Sequence, residues 1–205
     1  MPAGHSIVLA SNNAGKVREI DSILSGINLH VISQSEFAVA DIEETGKTFI
    51  ENAILKARNA SLHTGLPAIA DDSGIEILAL DGQPGIYSAR YAGIGASDEA
   101  NLIKLIDAVR NLPEDKRQAR FVCLMVHLQH AEDPVPVIAE GIWNGIAVTE
   151  PKGKNGFGYD PMFFVPEHNC TSAELPPEVK NRISHRGQAL QNLLEKLKTV
   201  YPALC

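Results

Sequence analysis

The chemistry open to this sequence is concentrated in two pairs of adjacent acids, one lysine-bearing polar loop, and one glycine-rich loop that carries two aromatics. Asp71-Asp72 follow the apolar run Ala68-Ile69-Ala70 and precede Ser73-Gly74. A strand that delivers two carboxylates to its end puts oxygen ligands at a sheet terminus, where α/β proteins gather their ligands and where Mg²⁺ finds the hard donors it requires. The competing reading is an Asx turn before Gly74. Glu43-Glu44, followed by Thr45-Gly46, read when taken alone as a solvated acidic turn.

Ser11-Asn12-Asn13-Ala14-Gly15-Lys16 stand between an apolar run and an amphipathic one. Free N–H groups and the positive end of a helix dipole would favour a phosphate there, with Lys16 adding a charge; the same turn also suits a plain helix cap. It is not a Walker A loop. Ala10 stands where that pattern needs Gly, and Val17 where it needs the Mg²⁺-binding Ser or Thr, which disfavours a P-loop kinase or GTPase. In Gly153-Lys154-Asn155-Gly156-Phe157-Gly158-Tyr159-Asp160 the aromatics have only small neighbours. A base could stack on Phe157, or the aromatics could plug the core. Asn52, Lys56 and Asn59 share a helix face, as a polar stripe toward the same site or as a solvated surface. Lys180 and Ser184-His185-Arg186 supply cations and donors, and the His185-Arg186 pair also reads as simple surface charge.

These residues need elements to position them. Residues 6–10 read as a buried strand, followed by a helix through Val17, Ile20, Ile23 and Leu24 with Gly26 as its stop. A short strand falls near His30-Val31-Ile32. Thr48, with Glu51 three residues on, caps a helix from Phe49 to about His63, closed by Gly65 and Pro67. Ala68-Ile69-Ala70 is the third strand, and the turn residues 81–85 lead to a helix near Asp98 to Val109. Residues 120–128 are apolar on both alternating faces, which predicts a central strand covered on both sides, with Val137 to Val148 beside it. A last helix runs from about Gly187 to Val200. The alternation predicts an α/β fold with a mixed sheet.

At 205 residues and 44% hydrophobic content the chain can bury a real core in one domain, 1–205. Three widely spaced cysteines without a CxxC argue for free thiols rather than a disulfide framework or a zinc knuckle. The net charge of −7 argues against a protein that coats nucleic acid, although a few focused cations and a metal ion can still bind a triphosphate. The first apolar run is too short for a signal segment or a membrane span, so a cytoplasmic location is expected.

Seven segments in register resemble the inosine triphosphate pyrophosphatase family over about residues 6–198. They are residues 11–16, 43–46, 48–57, 70–74, 84–91, 156–161 and 184–187. The resemblance implies hydrolysis of dITP, ITP, XTP and dXTP to the monophosphate and pyrophosphate, which removes deaminated purines from the nucleotide pool. It also implies a homodimer whose elongated mixed sheet, flanked by helices, forms two lobes with the nucleotide in the cleft between them. By the same resemblance Ser11, Asn12, Asn13, Ala14, Gly15 and Lys16 would hold the triphosphate, Lys56 would bind substrate, and Glu43 and Asp72 would hold Mg²⁺. Asp72 would be the proton acceptor, Ser73 would touch substrate, and Phe157, Gly158, Tyr159, Asp160, Lys180, His185 and Arg186 would surround the base and sugar. The alternatives are a pyrophosphatase for another modified or pyrimidine nucleotide, and a nucleotide-binding sensor without turnover. Asp71-Asp72 disfavour the sensor, since two carboxylates beside phosphate repel it unless a metal intervenes.

Overall fold

The computed structural model describes residues 5–24 and 29–201. Gly26, the expected helix stop, and Cys205 lie outside the described residues. The strands are β1 (His5–Leu9), β2 (Leu29–Ser33), β3 (Ala68–Ile77), β4 (Gln118–Leu128), β5 (Val137–Ala147), β6 (Phe163–Val165) and β7 (Cys170–Thr171). The α-helices are α1 (Ala14–Leu24), α2 (Phe49–Thr64), α3 (Asp98–Arg110), α4 (Pro177–Ile183) and α5 (His185–Val200). One sheet runs in the order β2-β1-β3-β4-β5-β6-β7. β1 pairs in parallel with β2 and β3, and β6 pairs antiparallel with β5 and β7, so the sheet is mixed, as expected. β4 is central and almost wholly buried.

The chain divides into two compact units. The first is Met1–Asp72, Cys123–Gly141 and Arg186–Cys205; the second is Ser73–Val122 and Ile142–His185. In the first unit, strand alternation sorts the side chains into two layers. Ile7, Leu9, Ile69, Cys123 and Met125 pack with Ile20 and Leu24 of α1 and with Leu190, Leu193 and Leu197 of α5. Val8, Ala10, Ala68, Ala70, Val126 and Leu128 pack on the opposite face with Ala53, Ala57 and Ala60 of α2. Those alanines recur at helical spacing, and their short side chains let α2 lie close to the sheet. α2 starts where expected: the Thr48 hydroxyl accepts the Glu51 N–H, and the Glu51 carboxylate accepts the Thr48 hydroxyl and the Lys47 N–H. It ends at Gly65, whose φ of 69° is the left-handed region where glycine carries no penalty.

The core of the second unit is built from Ile75, Ile77, Phe121, Trp143, Met162 and Phe163 with Leu105 and Val109 of α3. Three expectations need correction. β3 does not end at Asp71-Asp72: Ile75 and Ile77 are both fully buried and carry the strand five residues further, so neither a strand terminus nor an Asx turn describes the acids. α5 begins at His185, two residues early, and α4 precedes it. β6, β7 and α4 are too short to imprint a periodicity on the sequence.

Candidate active site

The acids of β3 sit at a boundary of pairing. The β1–β3 register runs through Val8↔Ala68 and Leu9↔Ile69, and the Ala10 N–H donates to the Ile69 carbonyl. Asp71 and Asp72 therefore begin where this ladder to β1 ends, although β3 itself continues to Ile77. Being consecutive in a strand, they point to opposite faces. Asp71 continues the face of Ile69 and meets α1 and α5: Lys16 Nζ lies 2.9 Å and Arg186 Nη2 3.6 Å from its Oδ2. Asp72 continues the face of Ala68 and Ala70 and meets α2. Lys56 Nζ donates to Oδ1 at 2.9 Å, and Asn52 Nδ2 to Oδ2 at 3.2 Å.

The acidic turn is tied to the same place. Lys56 Nζ also donates to Glu44 Oε1 at 2.9 Å, and the Asn52 side-chain oxygen accepts the Gly46 N–H at 2.8 Å. A Cβ on Gly46 would overlap both Asn52 and Glu51, so the turn closes on α2 only with glycine there. Asn52 and Lys56 are thus drawn out of solvent by Asp72, whereas Asn59 donates to the Ala40 carbonyl. Glu43, the acid named for the metal, is exposed; Glu44 stands beside Lys56.

These contacts separate the two acids electrostatically. Burial pushes the Asp71 carboxyl up, but Lys16, Arg186 and Lys56 together outweigh it and hold the group well below the usual carboxylate range. For Asp72 burial also dominates; Lys56 and Lys16 counter it, Glu44 reinforces it, and the net shift is upward. Asp71 is a fixed anion, and Asp72 is the more basic of the pair, a division typical of sites that assign two acids two roles. Lys56, which burial alone would discharge, is held charged by Asp72, Asp71 and Glu44.

The polar loop before α1 is built as a cap. Asn13 Oδ1 accepts the Gly15 and Lys16 N–H groups at 2.9 and 3.0 Å, Ser11 Oγ accepts the Asn13 N–H at 3.2 Å, and Asn12 Nδ2 donates to Asp41. Ala14 and Gly15 open α1, and Lys16 reaches Asp71. Arg186 also donates to Glu19 Oε2 at 2.5 Å. Glu19 escaped the sequence reading, although its place three residues after Lys16 on one helix face was a usable signal.

In the second unit Asp160 is the hub. Its Oδ1 accepts the Ser172 hydroxyl at 2.7 Å, and its Oδ2 accepts Lys180 Nζ at 2.5 Å and the Phe157 N–H at 2.8 Å. Lys180 is buried in α4, its ammonium 5.3 Å from the centre of the Phe157 ring. Phe157 is half buried. Tyr159, expected at the substrate, is instead part of the core, with its hydroxyl donating to the Ser88 carbonyl at 2.7 Å. The Gly158 N–H donates to Asp98. His185 is buried too, stacked 4.6 Å from Phe121 at an interplanar angle of 11°. Ser73 is half buried in β3. Asp98, Ser172 and Phe121 were not foreseen, since each acts through a partner distant in sequence.

Among the described residues no three His, Cys, Asp or Glu side chains converge as a metal cluster. The donor set nevertheless suits Mg²⁺, which binds through one or two carboxylates plus substrate phosphate oxygens. Asp72 and Glu44 each place one oxygen 2.9 Å from the same ammonium, so a positive charge already lies between them.

Comparison with known proteins agrees over nearly the whole chain. The sequence model of the Ham1 family matches residues 7–196. The dITP/XTP pyrophosphatase of Thioalkalivibrio sulfidiphilus is 59% identical over 94% of this chain and 98% of its own. That of Escherichia coli O157:H7 is 57% identical over the same shares. The structure of a HAM1 protein from Coxiella burnetii is similar with a TM-score of 0.86 and 50% identity, covering 97% of this chain and 99% of that one.

Proposed function

The chain belongs to the Ham1 family, and from that premise we propose that it is a nucleoside triphosphate pyrophosphatase, hydrolysing dITP, ITP, XTP and dXTP to the monophosphate and pyrophosphate. The observation that carries the mechanism is the division of labour between Asp71 and Asp72 on opposite faces of β3.

Asp71 keeps Lys16 in place at the phosphate-binding loop of residues 11–16, while Lys56 offers a second cation beside Asp72. Phosphoryl chemistry is governed by positioning and charge neutralisation, and these side chains supply both. Asp72 takes the proton of a water that attacks the α-phosphorus; the bond from that phosphorus to the bridging oxygen breaks, and pyrophosphate leaves with the electron pair. Asn52 holds the other Asp72 oxygen, which fixes the rotamer in which Oδ1 faces Lys56. We assign Mg²⁺ to Asp72 and the 43–44 pair, with Glu44 beside Lys56 and Glu43 next to it. When bound, the cation supplies Lewis-acid neutralisation of the phosphate oxygens.

Phe157 is the stacking platform for the base. Lys180 and Asp160 support it, and Gly158, His185 and Arg186 complete the base and sugar side in this reading. A homodimer is proposed from the family resemblance, and a cytoplasmic location from the shortness of the first apolar run. Among the described residues no helix is long and apolar enough to cross a membrane, and the net charge of −7 disfavours nucleic acid as a partner.

Hydrolysis of dITP, XTP, dGTP and dATP in ¹⁸O-water, with and without Mg²⁺, tests this. The expected products are labelled monophosphate and unlabelled pyrophosphate, with dITP and XTP preferred. Label in orthophosphate released directly from the triphosphate would mean attack at the γ-phosphorus and end the proposal.

A further inference from the structure

We propose that Asp98 is a positioning residue for substrate: its carboxylate latches the loop that carries Phe157. The inference rests on the reading above, in which Phe157 stacks on the base.

Phe157 lies between Gly156 and Gly158, whose φ values of 75° and 60° fall in the left-handed region. Such a segment has wide conformational freedom, so the ring has a defined place only if the backbone is tied down. The Lys154 and Asn155 N–H groups hold the base of the loop to the Ala173 carbonyl, the Asp160 N–H donates to the Phe157 carbonyl, and two further bonds tie the consecutive N–H groups at the ring itself. The Phe157 N–H donates to Asp160 at 2.8 Å, and the Gly158 N–H donates to Asp98 Oδ2 at 3.1 Å. Successive backbone N–H groups of this kind often cradle an anion. Here both are taken by carboxylates of the chain itself, so the loop offers its substrate a side chain rather than a pair of amides.

The two ties differ in kind. Asp160 is buried, held by Ser172 and Lys180, and only three residues from Phe157, so it shapes the turn from within. Asp98 comes from 60 residues away and is exposed. It opens α3, a helix anchored by the Ser97 cap, by Asn101 bonds to the Ala92 N–H and the Ala89 carbonyl, and by Leu105, Ile106 and Val109 in the core. The latch therefore joins a glycine-flanked loop to an anchored helix through one charge-assisted bond that water can reach. Releasing it frees Phe157 before substrate arrives, and binding must then supply the lost order. KM rises while the phosphate chemistry, and so kcat, is untouched.

The test compares Asp98→Ala, Asp98→Asn and, as a control for charge at the start of α3, Glu99→Gln. Three quantities are read: amide hydrogen exchange of the 156–159 segment without ligand, KM and kcat for dITP with Mg²⁺, and calorimetric affinity for an α,β-imido analogue of dITP. In Asp98→Ala faster exchange is expected, with a roughly fivefold rise in KM and in analogue Kd and kcat nearly unchanged. Asp98→Asn, which keeps an acceptor oxygen without the charge, should fall between the parent and Asp98→Ala, and Glu99→Gln should stay close to the parent. In a Phe157→Ala background, Asp98→Ala should add nothing further to KM or Kd, because the latch acts through that ring. Unchanged exchange, an unchanged analogue Kd, or full additivity with Phe157→Ala would each overturn the proposal. If the parent turns over no triphosphate, the functional reading fails separately, while exchange and analogue binding still decide the latch.

Discussion

Asp71 and Asp72 are neighbours in β3 but belong to different helices: Asp71 is bound to Lys16 of α1, and Asp72 to Asn52 and Lys56 of α2. Since the pleat sends them to opposite faces, each can be altered without direct contact with the other's partners.

Asparagine substitutions should separate the pair. With metal chelated, Asp71→Asn takes the buried anion away from Lys16 and the buried Arg186 and should lose about 3 kcal/mol of stability. Asp72→Asn should hold or gain stability. The folded-state pKa of Asp72 lies above its unfolded value, so at neutral pH its charge opposes folding and its removal relieves that cost. The same variant should lose turnover by about 10²-fold or more while nucleotide binding stays measurable. Urea unfolding, calorimetry and steady-state rates read all three; equal destabilisation by the two substitutions would refute the division of roles.

Phe157 and Tyr159, two residues apart, should respond oppositely. Phe157→Ala should raise KM for dITP with little loss of stability, because the ring is only half buried. Tyr159→Phe leaves the Ser88 carbonyl without its hydroxyl donor and should cost about 1 kcal/mol with KM unchanged. A Tyr159→Phe variant that is stable but binds poorly would return Tyr159 to the substrate.

Arg186 has only donors, so an adenine 6-amino group facing it meets no acceptor, whereas a 6-oxo group does. Arg186→Ala should therefore narrow the ratio of dITP to dATP in kcat/KM by about tenfold or more. It also leaves Glu19 and Asp71 without this guanidinium, so Arg186→Lys serves as the variant that retains a charge. If activity falls in both variants with the ratio intact, base selection lies elsewhere.

His127 is fully buried, its Nε2 3.1 Å from the Tyr201 hydroxyl. Burial, only partly offset by Asp133, pushes its pKa down from 6.5 to about 4. Between those values the unfolded chain binds the extra proton, so the stability from neutral His127 is complete above pH 6.5 and is lost as pH falls toward 4. The loss should reach on the order of 3 kcal/mol. Urea unfolding across this range should show a steeper decline for the parent than for His127→Gln; parallel curves would remove His127 as the cause.

The loops that carry chemistry were legible because their residue types are constrained locally. Asn13 caps its own helix, Thr48 and Glu51 bond within three residues, and Gly46 fits only as glycine. Burial was less legible where a charge was satisfied from afar. His185 reads as surface charge because nothing nearby in sequence announces Phe121 as its partner. The full length of β3 is illegible for a related reason: two adjacent acids predict a strand end, and only Lys16, Lys56 and Arg186, distant in sequence, let the strand continue through them. The central position of β4 could be read directly, since a strand apolar on both faces has no solvated side to offer.

The alanine layer beneath α2 serves as a spacer whose thickness is one methyl group. Ala53, Ala57 and Ala60 against Ala68 and Ala70 set the height of the helix above β3, and that height sets how far Lys56 and Asn52 must reach to Asp72. A larger side chain at any of these positions would lift the whole helix, withdrawing ammonium and amide together. The geometry of the site is thus held in part by residues that carry no functional group at all.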